Sequence, residues 1–82
     1  MNRRELILAI EAKQQDTLVR IQDTMDNYNM GLITFHEYMG QMNSLTEAYD
    51  KFISSKAMEC ADEEQVSLDY LRGWCAHHTI AF

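Results

Sequence analysis

Apolar residues recur along the first part of the chain at Ile7, Ile10, Leu18, Ile21, Met25 and Tyr28, a ladder of threes and fours interrupted only by Gln14. That spacing puts them on one stripe of an α-helix running from about residue 3 to 28. Asp16 and Arg20 stand four apart with the acid first, the favourable order for a helix-surface pair. Leu6, Leu8 and Val19 lie off the stripe. They suggest a second apolar face that one partner helix would not cover.

The pattern then stops at Asp26-Asn27-Tyr28-Asn29-Met30-Gly31 and restarts at Phe35. Asn29 or Gly31 can take the left-handed conformation that closes a helix. Thr34 and Glu37 have the spacing of a capping box, in which the threonine oxygen accepts the Glu37 amide and the carboxylate reaches back to the Thr34 amide. Ile33 and Tyr38 fall where a hydrophobic staple would sit. The run Gly31-Leu32-Ile33-Thr34-Phe35-His36-Glu37-Tyr38 resembles the G-x-I-T-x-x-E-[FY] turn of SHOCT-type bacterial helical hairpins. The resemblance is confined to the turn and its flanks, and it implies a helix stop followed by a capped helix start.

From Phe35 a near-heptad series continues through Tyr38 or Met39, Met42, Leu45, Tyr49, Phe52 or Ile53 and on to Cys60. It predicts a second long helix over about 35–60, antiparallel to the first. Asp62 and Gln65 repeat the capping-box spacing, and Glu63 and Glu64 suit a first turn, so a break is expected at Ala61-Asp62. A shorter third helix then covers about 63–72 with Val66, Leu68, Leu71 and Trp74. Gly73 can close it, or be carried inside a helix reaching about 78 for about 1 kcal/mol. The fold class expected is all-α: a hairpin of two long antiparallel helices plus a shorter C-terminal one, in a single domain over 1–82.

Composition narrows the class. A chain of 82 residues with 46% hydrophobic residues, no proline and three glycines suits an ordered domain rather than a disordered segment. A chain this short buries roughly 60–65% of its unfolded surface, so self-association is expected to help it. We therefore expect a homo-oligomeric bundle, with Leu6, Leu8 and Val19 contributing to the interface. The longest apolar run, Leu6 to Ile10, falls far short of the roughly 20 residues that span a bilayer. Met-Asn-Arg-Arg-Glu lacks the apolar core of a signal peptide and is read as a cytoplasmic start. Cys60 and Cys75 are too few for a disulfide framework, and reduced, buried thiols are expected.

Charge is divided along the chain. Residues 1–20 hold Arg3, Arg4, Lys13 and Arg20 against three acids, a net of +1, whereas residues 21–64 set Lys51 and Lys56 against nine acids, a net of −7. A surface of that sign repels a phosphate backbone, which argues against direct nucleic-acid binding.

Each candidate chemistry meets an obstacle. Cys75-Ala-His77-His78, with Cys60 upstream, is not a zinc-finger spacing, and in a helix Cys75 and His77 point about 160–200° apart. Pairing Cys75 with His78 or His36 as nucleophile and base would lack a glycine-rich oxyanion turn and a walled pocket. Asp26 to Glu37 half-matches a calcium loop, with Gly31 and Glu37 at its sixth and twelfth positions, but Tyr28 and Met30 stand where oxygen ligands are needed. No catalytic residue, metal or cofactor is assigned. Met30, Met39, Met42 and their aromatic neighbours read as core, or as an adaptable seam.

The expectation for function is a non-catalytic, acidic interaction protein, a regulator or inhibitor that binds another, basic, protein. Asp23, Asp26, Glu59, Asp62, Glu63 and Glu64 are the residues expected to meet it. One alternative is an oligomer sequestering an anionic ligand or nucleotide through Arg3, Arg4, Lys13 and Arg20. Another is a structural assembly subunit.

Overall fold

A computed structural model of the chain describes residues 1–77; His78, weighed above in the zinc and nucleophile groupings and as a helix end, lies outside the described residues. Three helices follow one another, α1 at Arg3–Asn29, α2 at Phe35–Glu64 and α3 at Leu68–His77, and the described residues contain no strand. α1 and α2 form the expected antiparallel hairpin, a rod within an envelope of 49 × 19 × 17 Å. Its ends differ. At the open end the start of α1 meets the end of α2: the Met1 amine pairs with Glu63, and the Arg3 guanidinium and amide both bind the Glu64 carboxylate. At the turn end Thr24 faces Gln41.

Three capped starts set the helices. Asn2 and Glu5 form a capping box for α1, and Thr34 and Glu37 form one for α2, with both Thr34–Glu37 hydrogen bonds at 3.1 Å. Ser67 Oγ accepts the Tyr70 amide at 3.1 Å and starts α3. The first helix stops as expected. Gly31 is left-handed at φ 75°, its amide donates to the Tyr28 carbonyl, and the Leu32 amide donates to that of Asn27. These are the two hydrogen bonds of a Schellman motif.

The second stop differs from expectation. Asp62 does not cap a third helix, and α2 runs on to Glu64. Cys60 and Ala61 are buried in its final turns, so ending the helix at Ala61 would sacrifice apolar contacts. The chain turns instead through Gln65, left-handed at φ 55°, with the Val66 amide on the Ala61 carbonyl and the Gln65 amide on that of Asp62. α3 also passes through Gly73, the longer of the two expected forms. Leu71 and Cys75, one turn apart, are both fully buried, and that contact outweighs the modest cost of an internal glycine.

The core lies at the open end. Leu6 and Ile10 of α1, Ile53, Ala57, Cys60 and Ala61 of α2, and Leu71 and Cys75 of α3 form one buried cluster, flanked by Phe52, Val66, Leu68 and Trp74. Leu6 therefore belongs to the chain's own interior and cannot serve an oligomer interface, as had been expected of it. Toward the turn, the α1 residues buried are Thr17 and Thr24, seven apart and in step with Ile10. Leu18, on the expected stripe, is 55% exposed. The α1–α2 seam thus runs along 10, 17 and 24, one side of the stripe that apolar spacing picks out. Threonine can occupy it because its hydroxyl is satisfied within the helix: Thr24 Oγ1 donates to the Arg20 carbonyl at 3.0 Å. Among the described residues no helix is long and apolar enough to cross a membrane.

The two left-handed caps make opposite predictions. Gln65→Gly relieves a side chain held at positive φ and should raise unfolding stability by about 1 kcal/mol, whereas Gly31→Ala should lower it by a similar amount. No heavy atom lies within 4 Å of a Cβ added at Gly31, so backbone strain alone supplies the loss. Urea unfolding followed by circular dichroism checks both; equal effects at the two sites would contradict the assignment.

Candidate functional site

Three positions around the turn leave large apolar side chains in water. Met30 is 65% exposed, Leu32 67% and Phe35 61%. In a Schellman stop the residue after the left-handed glycine commonly packs back on the helix it ends, but Leu32 does not. Phe35 opens α2 with its ring 6.0 Å from Tyr28 and 6.3 Å from Tyr38, and the two tyrosines stack at 4.9 Å. Ile33 and Tyr38, the expected staple, are half-buried, so the aromatic group braces the turn while its outer members face solvent. Met25 and Met39, further along the two helices, are exposed to 39% and 42%.

The surroundings are acidic. Between residues 21 and 50 the chain has no lysine or arginine, against Asp23, Asp26, Glu37, Glu47 and Asp50. Asp23 lines a shallow groove of about 680 Å³ with Arg20, Thr24, His36, Glu37 and Gln41, and the Gln22 side chain donates to Asp26 at 2.9 Å. Glu37 is held below its ordinary pKa by the Thr34 backbone amide and hydroxyl, so it stays ionised beside the tip.

The six acids expected to meet a partner fall into two groups at opposite ends of the rod. Asp23 and Asp26 flank the apolar tip. Glu59, Asp62, Glu63 and Glu64 lie at the open end, where Glu63 and Glu64 bind the Met1 amine and Arg3, and Glu59 sits 3.6 Å from Lys56. The four basic residues also fail to converge. Arg3 is clasped by Glu64 with its guanidinium 5.4 Å from both the Tyr70 and Trp74 rings. Lys13 lies over Phe52, Arg20 pairs with Asp16 at 3.1 Å, and Arg4 is exposed. From Arg3 to Arg20 is about 25 Å along the helix, too far for one small anion.

The metal and nucleophile candidates can be followed only among the described residues, which leaves out His78. Among the described residues no three His, Cys, Asp or Glu side chains group to hold a metal ion. In the half-matched calcium loop, Asp26 to Asn29 stay helical, and the carbonyls of Asp26, Asn27 and Tyr28 are taken by the stop itself. Cys60 and Cys75 are free, buried thiols, and burial pushes both pKa values up, away from the thiolate a nucleophile needs.

Leu32 was the residue overlooked by sequence reasoning. Its signal was the apolar run Met30, Leu32, Ile33 and Phe35 around a glycine turn, where polar residues normally stand. The chain matches no family model, no curated protein and no solved structure. The likeness of the turn to SHOCT-type hairpins is thus one of local capping chemistry.

The depressed Glu37 pKa has a definite sign. The carboxylate stabilises the fold above its ordinary pKa of 4.5, and that contribution disappears as pH falls through the lowered native value. Wild type should therefore exceed Glu37→Gln in thermal midpoint at neutral pH, with the gap closing as the pH is taken below the lowered native pKa. A gap unchanged between neutral and acid pH would show that Glu37 acts without its charge.

Proposed function

We propose that this chain is a non-catalytic interaction protein that inserts the turn end of its hairpin into an apolar recess of another protein. The observation that carries the reading is the exposure of Met30, Leu32 and Phe35 in one turn, which folds without using their outer surfaces. Exposed clusters of this kind on a small domain mark contact sites, and methionine and aromatic side chains supply area that adapts to a partner. Asp23, Asp26 and Glu37 around the patch favour a recess edged with lysine or arginine, which would speed encounter and set orientation. A regulator or inhibitor fits this description, since the hairpin brings a capped turn with large apolar side chains already facing outward. A cytoplasmic setting accords with two buried, unpaired thiols.

A photo-crosslinking residue at position 32, expressed in the native host, should capture a partner that the same residue at position 58 does not. With that partner purified, Met30→Asp combined with Leu32→Asp should weaken binding by at least about tenfold, roughly 1.4 kcal/mol. Lysine at positions 23 and 26 should weaken it as well and flatten its salt dependence, while lysine at position 62 should not. Equal affinity for wild type and the double variant would refute the reading. A rise in thermal midpoint with nucleotides or other small anions would favour the sequestering alternative.

A further inference from the structure

The hairpin has one side face that is covered at the open end and bare toward the turn. Arg3 touches α3 at Tyr70 and Trp74, and Gln14 and Ile21 follow it by 11 and 18 residues, whole numbers of turns, so they share its side of α1. On α2, Thr46 and Met39 precede the buried Ile53 by 7 and 14 residues and share its face. The geometry agrees: Gln14, Leu18 and Ile21 line one apolar groove with Thr46 and Tyr49, of about 210 Å³. Helical spacing carries that groove on to Met25 and Met39, both partly exposed. α3 has 10 residues, packs on the 30-residue α2 and meets α1 at Arg3, so it is too short to cover the whole face.

We propose that a second copy of this chain covers the remainder, the two grooves meeting about a two-fold axis near Leu18 and Ile21. Two features favour a copy. The first is charge. Gln14, Leu18, Ile21, Met25, Met39 and Thr46 carry none, and the charges that helical spacing sets beside them, Glu11 seven residues before Leu18 and Asp50 one turn after Thr46, lie toward the open-end border, so a two-fold at the centre keeps each away from its own copy in a dimer of chains of net charge −6. The other exposed apolar pair, Leu8 and Val19, stands among Arg4, Glu5, Glu11 and Asp16 and offers no such stripe. The second is area. From Gln14 to Tyr28 the face is about 21 Å long at 1.5 Å per residue, and two packed helices are about 20 Å across. Two copies would bury on the order of 1,000 Å² in all, the lower bound for a specific interface. Dimerisation completes on the turn half the layer that α3 supplies at the open end, and it leaves Met30 and Leu32 free at the tip.

Sedimentation equilibrium from about 1 to 200 µM, a range suited to a small interface, tests this. Wild type should pass from monomer to dimer, and Leu18→Lys and Ile21→Lys should each weaken the dimer at least about tenfold. Leu8→Lys and Leu32→Asp should leave it unchanged. Leu18 is half exposed, so its replacement should retain helicity by circular dichroism, and the wild-type dilution series stands whether or not a variant folds. A monomer throughout, or a dimer that survives Leu18→Lys and dissociates with Leu8→Lys, would overturn the proposal. Because Leu32→Asp separates the tip from the groove, failure here is distinguishable from failure of the partner-binding reading.

Discussion

Two antiparallel helices can hide one seam between them, and every other apolar residue they carry needs a third layer. In this chain that third layer is α3, only 10 residues long, and it reaches one end of the hairpin. Much else follows from that shortage. The fully buried cluster, Leu6, Ile10, Ile53, Ala57, Cys60, Leu71 and Cys75, gathers where three helices meet. Arg3 fastens the layers there, through Glu64 of α2 and the Tyr70 and Trp74 rings of α3. The turn half is held by a thinner seam, with Thr17 and Thr24 where a core would place leucine. Leu18, Met25, Met30, Leu32, Phe35 and Met39 stand exposed there, and Ile21, Met42 and Leu45 are half-buried.

The hairpin's turn was legible from residues 26–38 because its signals are local: a glycine for the left-handed stop, and threonine and glutamate three apart for the capped start. These depend on backbone hydrogen bonding within a few residues, and no tertiary contact competes with them. The end of α2 was misread for the opposite reason. Asp62 and Gln65 have the spacing of a cap, yet burial of Cys60 and Ala61 against distant parts of the chain holds the helix past them. The left-handed Gln65 had no sequence signature, since glutamine seldom takes that conformation.

The face of α1 was misjudged by less than a quarter turn. Spacing of large apolar residues favoured Leu18 and Met25, while the packed seam uses Thr17 and Thr24, which hydropathy alone does not nominate. For the site, acidity was readable but its division was not: only the antiparallel pairing shows that Asp23 and Asp26 lie at the end opposite to Glu63 and Glu64. Those last two belong to the clasp with Met1 and Arg3. What emerges is a division of labour along one rod, with the open end supplying the stability and the turn half presenting the apolar surface.

Native-state hydrogen exchange, on protein dilute enough to be monomeric, reads that division directly. The account predicts the slowest amides, exchanging only by global unfolding, around Ile10 in α1 and across Ile53 to Cys60 in α2, with residues 18–45 exchanging through a smaller opening despite their well-capped turn. Uniform protection along both long helices, or slowest exchange at the turn end, would contradict it.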